Sequence, residues 1–253
     1  MMDLMMKKQV TSFRERHGIS SNEPIRLKSL LMKLQVQAVF RPMSGIVSGM
    51  AIKAPWAEGQ ALRFMLINSQ QSLGRQHFTI CHELYHLFVQ ENFSSRRCVA
   101  GTFDKRADKE EYNADLFAAL LLLPEEGMLE MIPAQELKKD RVSLATLLHI
   151  EQYFSCSRSA LLQRLRELAL ASPGYMEAHR VDVRRGALSL GYPADLYLPG
   201  NHGLVISDYG PKAHALFEQD RISESHYLSL MYDIGVNLSD QPESIADAEK
   251  DLV

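Results

Sequence analysis

The chain has 253 residues, 46% of them hydrophobic, enough to bury a sizeable core and to support a catalytic-sized domain with a smaller companion. A net charge of −3 and a pI near 6.3 offer no electrostatic attraction for nucleic acid or for an anionic membrane. No run approaches bilayer length, Met1 to Val10 lacks the apolar stretch of a secretory signal, and three scattered cysteines suit a reducing, cytoplasmic setting.

Residues 3 to 17 have the apolar spacing of an opening helix, stopped by Gly18, and residues 26 to 34 read as a second, shorter one. Three β-rich runs follow: Gln35 to Phe40, Gly45 to Lys53 and Ala61 to Asn68. They predict a small antiparallel sheet packed on the helix that comes next. The edge of such a sheet can pair with an extended peptide.

That next helix holds the most informative pattern in the chain, His82-Glu83-x-x-His86, set among the apolar residues Phe78, Ile80, Cys81, Leu84, Leu87, Phe88 and Val89. One helical turn puts both imidazoles on one face, where two neutral rings can chelate a divalent zinc ion. Glu83 points to a neighbouring part of that face and can take a proton from the attacking water. On a mostly buried helix these three polar groups would be costly unless paired or metal-bound. Cys81 lies off the His82/His86 face and reads as a buried structural thiol.

The polar segment Glu91 to Lys109, with Arg96, Arg97, Lys105 and Arg106, reads as a solvated connection. A strongly helical run then begins at Glu110 and is closed by Pro124. Three protein ligands plus water make a catalytic zinc site, and a third must come from here, because Val89 and Asn92 stand where the extended metzincin pattern needs glycine and histidine. Glu111 and Asp115 are one turn apart, so Glu111 can complete the metal shell while Asp115 accepts a hydrogen bond from the far nitrogen of a ligand histidine. Glu110 competes for the ligand role, since the phase of the helix is open by one residue.

Together these stretches resemble the ImmA/IrrE metallopeptidases. The likeness lies in Ile67-Asn68-Ser69, in Arg75 to His86 with its Phe78-Thr79 pair, and in Glu111-Tyr-Asn-Ala-Asp115-Leu-Phe-Ala-Ala running to Pro124. It covers about residues 5 to 170. The resemblance implies His82, His86 and Glu111 as ligands of one zinc ion and Glu83 as catalytic acid/base. It further implies an intracellular protease whose partner and substrate is a helix-turn-helix repressor. Asp115 departs from the family's usual asparagine and makes the ligand it contacts more basic. Tyr85 and His77 are the candidates for stabilising the oxyanion beside the metal.

Val142 to Phe154 and Arg158 to Ala169 read as two helices around a Ser155-Cys156-Ser157 turn, the length of a helix-turn-helix. Their slight basic surplus favours packing over direct nucleic-acid binding. Ser172-Pro173-Gly174 suggests a boundary. Beyond it Val181 to Leu188 and Leu204 to Ser207 read as strands, 211 to 219 and 223 to 234 as helices, and Ser239 to Val253 as a fraying acidic tail. His179, His202, His214 and His226 lack chelating spacing. The overall expectation is an α+β protein with a zincin-like metallopeptidase domain over residues 1–130. A helix-turn-helix-like segment over 131–172 and a C-terminal α/β region over 173–253 complete it. The competing expectation is a regulatory binding protein, such as a toxin–antitoxin component, with a structural zinc site.

Overall fold

The structure is a computed structural model that describes residues 2–56, 61–91, 93, 95–102 and 108–236. A five-stranded sheet carries the site. Its strands are β1 (Val36–Arg41), β2 (Gly49–Pro55), β3 (Ala61–Asn68), β4 (Arg96–Cys98) and β5 (Val205–Ile206), in the order β4-β2-β3-β1-β5. Val36, Ala38 and Phe40 of β1 and Met65 and Ile67 of β3 are buried at period two, as one sheet face covered by helices requires. The sheet is mixed rather than purely antiparallel, because β1 and β3 run parallel. After β1 the chain moves two strand positions over, about 10 Å, before laying down β2, and β3 then returns into the slot between them.

Two helices lie at the centre of the core. The first, spanning Leu73–Phe88, is buried along nearly its whole length, and the second, Lys109–Leu122, is almost as deeply set. Asp108 caps the latter by accepting from the amides of Glu110 and Glu111. Small side chains, Ala114, Ala118 and Ala119, let the two helices come close. Ahead of the sheet come α1 (Met2–Arg16) and α2 (Leu27–Lys33). With these, the two central helices are α3 and α4. Helix α1 seats Met6, Val10 and Phe13 in the core, and the Phe13 ring meets Phe117 of α4 edge-on at 5.5 Å. Arg14, also buried, donates to the carbonyls of Ser20, Glu23 and Leu121, tying the loop after α1 to the end of α4.

After the short α5 (Glu125–Met131) the expected helix pair appears as α6 (Leu144–Phe154) and α7 (Arg158–Glu167). Ser155 turns the chain in the left-handed region at φ 52°, and the Ser157 hydroxyl accepts from the Ala160 amide. Helix α7 turns Arg158, Ala160, Leu161, Leu162, Arg164 and Leu165 inward. The turn sits hard against the start of α3: a Cβ on Gly74 would lie 2.8 Å from the Ser157 nitrogen and 2.9 Å from the Cys156 carbonyl carbon. Only glycine allows that approach.

Ser172 starts α8 (Pro173–His179) as its N-cap. The strand expected over Val181 to Leu188 is instead a helix, α9 (Val183–Ser189), entered through Asp182 at φ 50°. Only Ala187 of that segment is buried, so no alternating apolar face exists to hold it in a sheet. The strand expected over 204–207 is β5, which pairs antiparallel with β1, Ala38 opposite Ile206. The chain forms two compact units, Met1–Ile206 and Ser207–Val253. Within the second, α10 (Tyr209–Glu218) and α11 (Glu224–Asp233) form a hairpin in which Phe217 and Tyr227 stack at 5.0 Å. The tail expected to fray, 239–253, lies outside the described residues, as do Lys105 and Arg106.

Candidate metal centre

Helix α3 brings His82, Glu83 and His86 to one place, all with no exposed surface. The two Nε2 atoms stand 3.2 Å apart. Glu111, from the first turn of α4, reaches between them, with Oε2 3.2 Å from His82 Nε2 and Oε1 3.5 Å from His86 Nε2. Cys98, at the end of β4, adds a sulfur 3.7 Å from Glu111 Oε1. One donor atom from each of these four residues falls within 4.8 Å of the others.

The donor set fits a zinc-sized ion. Donors at tetrahedral angles, with bonds of about 2.0 Å to nitrogen or oxygen and about 2.3 Å to sulfur, stand about 3.3 Å apart, or about 3.6 Å where one is sulfur. The spacings above lie close to those values. The tautomers fit as well. His82 donates from Nδ1 to Asp115 Oδ1 at 2.9 Å, and His86 from Nδ1 to Gln90 Oε1 at 2.6 Å, so each ring turns its Nε2 lone pair inward. Asp115 is itself steadied by the Gly101 amide, 2.6 Å away.

Electrostatics point the same way. Burial alone would lower the His82 pKa, but hydrogen bonds with Asp115, Cys98 and Glu111 and the charge of Glu83 hold it well above its usual value. Such a cage prefers a cation, whether proton or metal. Burial, with the charge of Glu111, raises Glu83 to about 7 against the pull of His82. One Glu83 oxygen, Oε1, is buried without a hydrogen-bond partner. It lies against β2 where Gly49 has no side chain, and a Cβ there would come within 2.8 Å of it.

A pH signature follows for the metal-free protein. Because Glu83 holds its proton up to about 7 when folded and to 4.5 when free, the native state binds more protons across that window. Stability contributed at this position is therefore lost as pH rises through it. In chelator, Glu83→Gln is expected to gain on wild type in melting temperature between about pH 5 and pH 8, followed by circular dichroism. A gap that stays constant with pH would contradict the buried, proton-holding carboxyl.

The other sequence candidates are placed elsewhere. Glu110 accepts from the Tyr85 hydroxyl at 2.8 Å, on the side of α4 next to Glu111, so the two acids are separated by helix phase. Tyr85 is thereby engaged with Glu110, and burial with this contact raises its pKa well above the usual phenol value. His77 holds the Ser155 carbonyl through Nδ1 at 2.7 Å, at the entry of α3. Cys98 is the residue that sequence reasoning missed. It lies in a three-residue strand, its position set by pairing with β2, and no spacing relates it to the histidines. Cys81 is buried, as expected.

Among the described residues no helix is long and apolar enough to cross a membrane. No curated protein matches the chain. Residues 43–166 match the family model of the IrrE N-terminal-like domain, a peptidase family, and that span contains all four residues of the cluster. Over residues 43–166 the chain therefore carries a domain of the ImmA/IrrE family of metallopeptidases.

Proposed function

We propose that this chain is a cytoplasmic, zinc-dependent endopeptidase that cleaves a helix-turn-helix transcriptional repressor and so releases stress or mobile-element genes. The observation that carries the reading is the convergence of His82, His86 and Glu111 donors at metal-ligand spacing beside a buried carboxylate, Glu83. When bound, zinc polarises the scissile carbonyl and lowers the pKa of water. Glu83 takes the proton of the attacking water and delivers it to the leaving amine. Its raised proton affinity suits both transfers near neutral pH. His82 and His86 are held as inward-facing donors by Asp115 and Gln90, which spares the site reorganisation during reaction. The repressor as substrate rests on the family resemblance, and the cytoplasmic setting on three scattered, buried cysteines.

The test is to incubate the zinc-reconstituted protein with helix-turn-helix repressors encoded beside it and to map products by mass spectrometry. A single internal cut is expected, abolished by chelator and restored by zinc. Intact repressors at full zinc occupancy would remove the peptidase assignment. One observation favours a second reading, a binding protein with a structural metal: four protein donors, Cys98 included, are what a closed structural site uses.

A further inference from the structure

We propose that Cys98, delivered by the edge strand β4, keeps this metal site in a resting state by filling the fourth donor position that a catalytic site leaves to water. This rests on the peptidase reading. The sulfur is buried at 1% exposure, belongs to the same donor cluster as His82, His86 and Glu111, and lies 3.7 Å from Glu111 Oε1. It also lies 3.8 Å from Glu83 Oε2. A group that touches both a metal ligand and the catalytic carboxylate stands where the attacking water must stand. With the thiolate bound, the shell is full and Glu83 has no water to activate.

The strand that carries Cys98 is built to leave. It has three residues and, among the described residues, pairs with β2 alone, Gly49 opposite Cys98 and Ala51 opposite Arg96. Beyond Ala51, the outer edge of β2 through Pro55 pairs with no strand among the described residues. An extended peptide pairing along β2 would extend into the place of β4, displace it, and draw the sulfur out of the metal shell. Coordination exchanges the S–H bond for a sulfur–metal bond and releases a proton to water, and displacement reverses this. The activating partner is therefore an extended peptide segment, in the simplest case the substrate itself.

Cobalt substitution tests this directly. The wild-type protein loaded with one Co2+ is expected to show sulfur-to-cobalt charge-transfer absorption in the near ultraviolet. Cys98→Ala and Cys98→Ser should lose that band while keeping the visible d–d bands of a three-ligand site. With zinc, both variants should cleave faster than wild type by several-fold or more. Two variants are used so that loss of the fold in one, seen by circular dichroism, does not decide the matter. Stoichiometric cobalt in wild type without the sulfur band would overturn the proposal and leave the metallopeptidase reading standing. A sulfur band with variants no faster than wild type would overturn it in favour of a structural shell. Failure of wild type to hold any metal would remove the peptidase reading and this one with it.

Discussion

Replacing Glu83 with glutamine is expected to slow peptide hydrolysis by between about a hundredfold and ten-thousandfold, the range over which positioned acid–base groups act. Glutamine keeps the shape and the buried position but cannot accept a proton. The four clustered donors, His82, His86, Glu111 and Cys98, are untouched by the change, so metal content by elemental mass spectrometry should stay at one per chain. Removing a carboxyl that burial holds towards its neutral form should also leave the fold intact or firmer. Product formation at the wild-type rate would exclude Glu83 as the acid/base. Loss of metal would instead place it among the ligands.

The second large effect concerns stability. Arg158→Ala is expected to destabilise the protein by about 3–5 kcal/mol, read from denaturant midpoints, because it strands a buried carboxylate. Glu151 has no exposed surface, and both its oxygens are engaged: Arg158 donates to each, and the Tyr197 hydroxyl donates to Oε2 at 2.7 Å. Arg158 also donates to the His179 carbonyl, so the same guanidinium fastens α8 to the pair α6 and α7. Burial raises the proton affinity of Glu151 while Arg158 opposes it, and losing Arg158 leaves burial opposed by the Tyr197 hydroxyl alone. Replacing both residues by apolar ones of similar volume should recover most of the loss. A single Arg158→Ala variant within about 0.5 kcal/mol of wild type would mean that the pair is not desolvated in solution.

This pair also bears on nucleic acid. Arg158 and Arg164 enter the small basic surplus of residues 136–167, yet both are buried. The inward face of α7 thus removes two of the charges that a duplex would need.

The site was legible in the sequence where its geometry is local. His82, Glu83 and His86 share one helix, and Glu111 and Asp115 share another at one-turn spacing, so helix period alone aligns them. The bounds of β3 were also readable, since an unbroken β-rich run ends at Asn68. What depends on pairing between distant segments was not readable. Cys98 enters the cluster through sheet register, Glu110 is excluded by helix phase, and the parallel run of β1 and β3 is set by how a connection crosses the sheet. The segment 183–189 misled because Val181 and Val183 favour strands intrinsically, while the available burial rewards one side chain only.

Strand β5 sets the order in which the molecule can be made. It closes the β1 edge of the sheet from the far end of the first unit. On a ribosome adding about 5–20 residues per second, β1 waits on the order of ten seconds for that neighbour to emerge. Through this interval the buried helix of the metal centre has an incomplete sheet beneath it. Nascent chains halted before Val205 should thus present an open β1 edge to chaperones.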